Sequence, residues 1–207
     1  MSPALPSLPR GHYDLVAVGA SLGGVAALRV LLAGLPADFP APLAIVQHRG
    51  PDGGGLDGDS ALPAVLAEGS NLPVVEPTDR EPLRAGVAYL APAGYHMLVE
   101  PGFLTLSIEE PVSYARPSID VLFETAAEAY GRRLVAVLLT CSSDDGAAGM
   151  AAVARRGGLT LVEDPVSARS PVAGRSALAL TAVHHVLPLE RIAGVLAAMA
   201  VPIERGS

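Results

Sequence analysis

The sequence of 207 residues lacks the features of several common protein classes. Its single cysteine, Cys141, allows no internal disulfide, which favours a reducing and therefore cytoplasmic location. No apolar run approaches the ~18 residues of a membrane-spanning helix, and the proline-rich segment 1–13 has no apolar stretch typical of signal peptides. We therefore expect neither secretion nor membrane insertion.

Charged residues are also scarce, at 17% of the chain, and negative charge is in excess. Lys and Arg total 14 against 21 Asp and Glu, and no basic stretch interleaved with aromatic residues is present. We therefore expect no nucleic-acid partner. Metal-ligating residue types do not occur at zinc-site spacing, and we expect neither a metal nor an organic cofactor. Hydrophobic residues make up half of the chain, which predicts one globular domain.

Short apolar runs alternate with helical patterns along the chain. "GVAALRVLLAGL", "PSIDVLFETAAEAYG" and "GAAGMAAVARRGG" predict helices, with Pro117 in the first turn of the second. The alternation predicts an α/β fold with a doubly wound, mostly parallel sheet of the three-layer Rossmann-like type. "YHMLVEPGFLTLSI" predicts an antiparallel hairpin at one edge. Six runs predict strands: "DLVAVG" from Asp14, "LAIVQ" from Leu43, "LPVVE" from Leu72, "VAYLA" from Val87, "LVAVLLT" from Leu134 and "LTLVE" from Leu159.

These patterns place the folded domain at residues 14–201. The N-terminal segment 1–13 and the loop 49–60, which reads "RGPDGGGLDGDS", are predicted to be flexible, and residues 202–207 form a C-terminal tail. No internal repeat and no linker divides the chain.

The first predicted strand ends in a glycine-rich turn, "GASLGG", with Ser21 at its centre. A dinucleotide-binding turn needs glycine where Ser21 stands, and Asp38, near the ribose-binding spacing, lies in a proline-flanked loop. The Gly-x-Ser-x-Gly spacing instead favours a nucleophile elbow, which exposes a serine hydroxyl at a helix N-terminus. There, N–H groups can stabilise an oxyanion. A third interpretation is that Ser21 merely caps the helix.

Two further strand runs end in residues that complete a hydrolase triad. His48 follows "LAIVQ", and Asp144 and Asp145 follow "LVAVLLT" closely. Because the carboxyl ends of neighbouring strands in an open α/β sheet meet at one crevice, we expect these groups to converge with Ser21. Each has an alternative: His48 as a solvated loop residue, and Asp145 as a helix cap. The order Ser, His, Asp differs from that of α/β-hydrolases.

Five ordered motifs carry a family resemblance: "GASLGG", "IVQH", "YLAPAGYHM", "ARPSIDVLF" and "LLTCSSDDGAAGM". From Tyr13 to about Ala200 the sequence resembles the catalytic domain of the CheB chemotaxis protein-glutamate methylesterases. The resemblance implies a serine hydrolase that cleaves glutamate γ-methyl esters on the cytoplasmic helices of chemoreceptors, and that often deamidates receptor glutamines. Only about thirteen residues precede the first strand, so we expect a stand-alone domain without a receiver and without control by phosphorylation in cis.

The resemblance also assigns roles to residues. Ser21 matches the family's nucleophile, His48 its general base and Asp145 the carboxylate that orients the base. His96 and Arg116 match residues that border the same cleft.

The sequence departs from the family pattern around the oxyanion site. Leu22 stands where the family usually has threonine, and residues 140–143 read Thr-Cys-Ser-Ser in place of Thr-Gly-Met-Gly. The resemblance makes the backbone N–H groups of Leu22 and Ser142 the oxyanion donors. Arg49 replaces a methionine after the histidine, and the family's later Gly-Met-Pro turn is absent.

The lost glycines lead to a conformational expectation. Cys141 and Ser143 must hold positive φ angles, at about 1–3 kcal/mol each, or the backbone must follow a different path.

The departures leave two alternatives open: a serine esterase with another substrate, and a catalytically silent binding module. If neutral His48 is the base, kcat/KM should rise through about pH 6 to 7.5.

Overall fold

The protein is described here by a computed structural model, which covers residues 13–49 and 61–199. The predicted N-terminal segment before Tyr13, the loop beyond Arg49 and the C-terminal tail lie outside the described residues. The strands are β1 (Leu15–Ala20), β2 (Leu43–Gln47), β3 (Val74–Val75), β4 (Glu81–Pro82), β5 (Ala88–Leu90), β6 (His96–Glu100), β7 (Phe103–Ser107), β8 (Leu134–Leu138), β9 (Leu159–Glu163) and β10 (His185–Leu187). The helices are α1 (Gly24–Gly34), α2 (Leu62–Ala67), α3 (Ile119–Tyr130), α4 (Ala147–Arg155), α5 (Val172–Leu180) and α6 (Leu189–Met199).

Seven strands form one sheet in the order β10-β9-β8-β1-β2-β5-β3, and the neighbours are parallel. The strands are buried by apolar layers on both faces. One layer contains α1, α2 and α6, and the other contains α3, α4 and α5. The predicted doubly wound α/β fold is therefore confirmed.

The predicted hairpin forms from β6 and β7, but its position differs from the expectation. β4 pairs with β7, so the hairpin belongs to a separate three-stranded antiparallel sheet rather than to an edge of the parallel sheet. Met97, Val99 and Leu104 fix it there, because they are buried in the same apolar layer as α3. Because β4 has only two residues, it has no periodic pattern, and the sequence could not predict that it pairs with β7.

Helix α3 also begins later than the prediction. Its N-cap is Ser118, whose hydroxyl accepts a hydrogen bond from the Val121 N–H, so Pro117 precedes the cap and does not lie in the first turn. None of the described helices is long and apolar enough to cross a membrane.

The strand order places a topological switch point beside β1. From β1 the chain proceeds to β2 on one side and returns through β8 on the other. The carboxyl ends of β8, β1 and β2 therefore lie next to one another, which is where open α/β sheets hold their ligands. Ser21, His48 and Asp145 follow these three strand ends.

Candidate active site

A histidine and a carboxylate meet at the switch point. His48 Nε2 lies 2.7 Å from Asp145 Oδ2, although the two residues are 97 positions apart. The Asp145 side chain is fully buried, and that of His48 keeps 16% of its surface exposed. Since Nε2 is engaged by the carboxylate, the imidazole has Nδ1 as its acceptor in the neutral form. This pair has the geometry of a base and its orienting acid.

The Asp145 carboxylate is saturated with donors. Besides His48, it accepts hydrogen bonds from the Ser118 hydroxyl (2.9 Å), the Ile119 N–H (2.8 Å) and the Asp120 N–H (2.9 Å). Burial disfavours the charged carboxylate, but these hydrogen bonds outweigh burial and lower the pKa of Asp145. Asp145 is therefore held as an anion with a fixed orientation.

The alternative that Asp145 caps its own helix is wrong. The N-cap of α4 is Gly146, and the Asp145 side chain instead binds the first N–H groups of α3. Asp120 of α3 makes the reciprocal contact, because its Oδ1 accepts from the N–H groups of Gly146 (2.9 Å) and Gly149 (2.7 Å). Burial, with the charge of Asp145, raises the pKa of Asp120 to about 6 against the effect of these N–H groups. The two carboxylates thus lock the helix ends together.

The two residues expected to border the cleft, His96 and Arg116, form hydrogen bonds with other parts of the chain. His96 is buried; its Nδ1 accepts from the Ser118 N–H (3.2 Å), and its Nε2 donates to the Glu110 carbonyl (3.1 Å). His96 therefore supports Ser118, which in turn holds Asp145. Arg116 donates to the carbonyls of Ile108 (2.9 Å) and Glu109 (3.0 Å) and holds the loop before α3. In this structure both residues are engaged in contacts within the chain.

Ser21 stands directly after β1, in a turn stabilised by backbone hydrogen bonds. Its N–H donates to the Thr140 carbonyl (2.9 Å), and the Gly24 N–H donates to the Ser21 carbonyl (2.8 Å). The N-cap of α1 is Gly23, at φ +82°, and no side chain caps this helix. The interpretation of Ser21 as a capping residue is therefore wrong. The turn has the strand-turn-helix form of a nucleophile elbow.

Thr140 anchors this elbow to the end of β8. Its hydroxyl donates to the Leu22 carbonyl (2.8 Å) and accepts from the Ser170 N–H (2.8 Å). Its own N–H donates to the buried carboxylate of Glu163 (2.8 Å), whose pKa is raised by burial. The backbone on both sides of Ser21 is therefore tied to β8.

Gln47 ties the elbow to the end of β2. This residue is 5% exposed, and its Nε2 donates to the carbonyls of both Ser21 (2.9 Å) and His48 (3.0 Å). Two carbonyl acceptors define which end of the amide is nitrogen. A Cβ on Gly24 would lie 2.1 Å from Gln47 Oε1, so glycine is required there. The His48 N–H also donates to the Ala20 carbonyl (2.9 Å), which joins the two strand ends directly.

The loop at 141–143 takes a path open to ordinary residues. Neither Cys141 nor Ser143 has a positive φ, so of the two expected alternatives the backbone follows a different path and these residues are not strained. Cys141 is buried, with its Sγ 3.3 Å from Ser143 Oγ, whereas Ser142 is exposed. Leu22 is 53% exposed. The side of the site that carries Leu22 and Ser142 is therefore open to solvent.

Cys141 also contacts His48. Burial alone would lower the pKa of His48, but hydrogen bonds to the Asp145 carboxylate and to the sulfur of Cys141 outweigh it and raise this pKa to about 9. The contact with His48 correspondingly lowers the pKa of Cys141, although burial acts in the opposite direction. This pKa lies above the range of about pH 6 to 7.5 in which the sequence analysis expects kcat/KM to rise.

Sequence reasoning missed four supporting residues: Gln47, Ser118, Thr140 and Glu163. Gln47 and Thr140 stand in the motifs "IVQH" and "LLTCSSDD", but nothing in their spacing indicates which carbonyls they contact. Asp144, beside Asp145, is exposed. Within residues 13–49 and 61–199 no group of three or more His, Cys, Asp or Glu side chains is arranged to hold a metal ion.

Comparison with known proteins identifies the family of this chain. The model of the CheB methylesterase family matches residues 16–196. A protein-glutamate methylesterase/protein-glutamine glutaminase 2 of Anaeromyxobacter dehalogenans is 44% identical over 182 residues, which are 87% of this chain and 52% of the relative. A Leptospira interrogans relative with the same two activities in its name is 39% identical over 183 residues, 88% of this chain and 92% of the relative.

A solved structure of a CheB catalytic domain is also similar to this chain. The crystal structure of the Thermotoga maritima CheB methylesterase catalytic domain matches with a TM-score of 0.83 and 29% identity, over 91% of this chain and all of that one. The chain spans nearly the whole Leptospira relative but about half of the Anaeromyxobacter relative. The family model spans most of the chain, and the solved domain has the same fold, so this chain belongs to the CheB methylesterase family.

Proposed function

We propose that the domain at 14–201 is a cytoplasmic protein-glutamate methylesterase, a serine hydrolase that cleaves glutamate γ-methyl esters. Its substrate is a methylated chemoreceptor, on the cytoplasmic helices, and a glutamine side chain at such a site is deamidated by the same route. The observation that carries the proposal is the 2.7 Å contact between His48 Nε2 and the buried Asp145 carboxylate, beside the elbow that holds Ser21. The names of the relatives support the substrate class.

In the proposed reaction, His48 Nδ1 takes the Ser21 hydroxyl proton while Asp145 holds Nε2–H and stabilises the imidazolium. The Ser21 oxygen attacks the ester carbonyl. The tetrahedral intermediate collapses, the proton on His48 passes to the methoxy oxygen, and methanol leaves. His48 then takes a proton from water, and the resulting hydroxide attacks the acyl-enzyme carbonyl. As the second intermediate collapses, the proton on His48 passes to the Ser21 oxygen, which leaves as the hydroxyl and frees the glutamate side chain as the acid.

The negative oxygen of the intermediate needs donors on the open side of the site. The N–H groups of Leu22 and Ser142 are the proposed pair. The Ser21–Leu22 peptide is fixed by two hydrogen bonds to the Ser21 carbonyl, from Gly24 N–H and Gln47 Nε2, so the direction of the Leu22 N–H is set before substrate binds. The exposed Ser142 is less constrained.

The proposal is tested by methanol release from a methylated receptor fragment, with wild type beside Ser21→Ala. We expect the variant to lose at least about 10³ in kcat, because the triad acts as a unit and leaves only residual catalysis by the oxyanion donors. The folded state of the variant is checked by circular dichroism. Retention of more than about a tenth of the activity would exclude Ser21 as the nucleophile.

A second candidate is a serine esterase with a different substrate. It is favoured by the exposed Leu22 and by the 141–143 loop, whose path differs from a glycine-dependent one. Labelling of Ser21 by a fluorophosphonate probe without methanol release from the receptor fragment would support it. Absence of both signals would indicate a silent binding module.

A further inference from the structure

A groove extends from Ser21 along helix α1, and the part of it beyond Ser21 and Leu22 has no role in the proposed mechanism. It encloses about 470 Å³, a volume in the range of ligand sites, and Ser21, Leu22 and Gly23 form its inner end. Val25 and Ala26 of α1 contribute apolar surface. The remaining lining residues are Arg29 and Arg169.

The charge of the groove is opposite to that of the protein. Among the residues that the structure describes, the charged side chains that line the groove are both arginines, whereas the whole chain has a net charge of -7. Arg29 is 3.4 Å from Glu68, in a pair whose two side chains are 46% and 70% exposed. Such an exposed ion pair contributes little to stability, so Arg29 can exchange Glu68 for another partner. In the part of the chain that the structure describes, the Arg169 guanidinium has no hydrogen bond and no ion pair.

The position of Arg169 is nevertheless defined. The next residue, Ser170, donates its N–H to Thr140 Oγ1 (2.8 Å) and accepts from the Cys141 N–H (3.4 Å), which joins this segment to the loop after β8. The Arg169 stem lies against Gly23, where an added Cβ would be only 2.7 Å from Arg169 Cβ and Cγ. The stem is therefore held against the nucleophile elbow while the charged end is exposed to solvent.

We propose that Arg169, assisted by Arg29, forms a subsite for a carboxylate side chain on the same peptide as the glutamyl methyl ester. The subsite selects substrates with an acidic residue near the ester, at the i±3 or i±4 position if the peptide is helical. Arg169 stays outside the acyl-transfer steps, so it acts on substrate affinity and on the association rate. This inference rests on the proposed methylesterase function.

Three synthetic peptides test the subsite. Each carries one glutamate γ-methyl ester, and the peptides differ only at one neighbouring position, which is Glu, Gln or Lys. At low salt we expect wild type to show about fivefold higher kcat/KM for the Glu peptide than for the Gln peptide, within the range of an exposed ion pair. Salt should reduce the difference. Arg169→Glu should raise KM for the Glu peptide about tenfold with kcat little changed, and should make the Lys peptide the preferred one.

Arg84→Glu is the matched control, because it makes the same charge change. Arg84 is exposed and precedes β5, so it lies at the amino ends of the strands, opposite the site. It should keep the wild-type order of substrates. An Arg169→Glu enzyme with the wild-type order, or a wild type without preference, would overturn the inference.

A binding measurement separates this inference from the proposed function. Absence of methanol release from all three peptides would contradict the proposed function. Fluorescence anisotropy of the same peptides with Ser21→Ala measures the groove without catalysis, and there the Glu peptide should bind tightest. Equal binding of the three peptides would overturn the subsite even if hydrolysis occurs.

Discussion

The two sides of the site are built differently. On the acid side, Asp145 is buried and accepts four hydrogen bonds from protein donors. On the carbonyl side, Leu22 is 53% exposed, and Ser142 is exposed as well. The acid side is completed by folding, because a buried anion must be satisfied within the protein. In the proposed mechanism the carbonyl side stays open because its partner is the substrate, through the N–H groups of Leu22 and Ser142. Substitutions should therefore have large effects on the first side and graded effects on the second.

The largest effect is expected from Asp145→Asn. The amide cannot stabilise the imidazolium and can hold the wrong histidine tautomer, so kcat for ester hydrolysis should fall by about 10³ to 10⁴. The adjacent, exposed Asp144 provides the control, and Asp144→Asn should change kcat by less than about threefold. A larger loss of kcat in Asp144→Asn than in Asp145→Asn would show that Asp144 is the carboxylate that orients His48.

The pH profile tests how strongly the acid side acts on the base. Only neutral His48 can accept the Ser21 proton, so a pKa of about 9 makes kcat/KM rise with pH and level off above that value. The rise from pH 7 to the plateau should be about a hundredfold. Cys141→Ala removes a hydrogen bond that raises this pKa, so its profile should shift to lower pH. A midpoint near 6.5 in both enzymes would contradict the structure.

Gln47 links the two sides, and its removal should have an intermediate effect. Gln47→Met keeps the shape but loses the donor shared by the carbonyls of Ser21 and His48, so kcat should fall about ten- to a hundredfold with little change in KM. Asn71→Leu is the matched control. The Asn71 amide also donates to two carbonyls, Ala33 (3.3 Å) and Leu35 (2.8 Å), at the far end of α1. A similar loss of kcat in both variants would indicate a general stability effect, which thermal unfolding would reveal.

The smallest effect is expected on the carbonyl side. Changing Leu22 to Thr and residues 141–143 to Gly-Met-Gly restores the family-like run around the oxyanion donors. We expect hydrolysis of receptor methyl esters to rise at least about tenfold, since one well-placed donor contributes about 10² to 10³ in kcat. Residues 141–143 carry no positive φ in the native chain, so the benefit requires the loop to change its path. A folded variant that is no faster would show that these departures do not limit catalysis.

The fold was largely predictable because its signal is local. Runs such as "LVAVGA" and "LVAVL" are buried on both faces. Their continuous apolar pattern predicts strands inside a sheet. The separate sheet was not predictable, because β4 has only two residues and its partner β7 comes much later in the chain. The sequence pattern does not decide where α3 starts, because Pro117 is compatible both with a first turn and with the position before a cap.

The sequence by itself determined the residue types at the ends of three strands, and with them the chemistry that this protein can perform. It did not determine how those residues are held. Only the tertiary structure directs the Asp145 carboxylate to the first N–H groups of α3 and places the Gln47 amide between two carbonyls. Only the tertiary structure sets Cys141 beside His48 and raises the pKa of the base. A strand end can be read from a local pattern, whereas hydrogen bonding and desolvation depend on residues about 25 to 100 positions away that folding brings into contact.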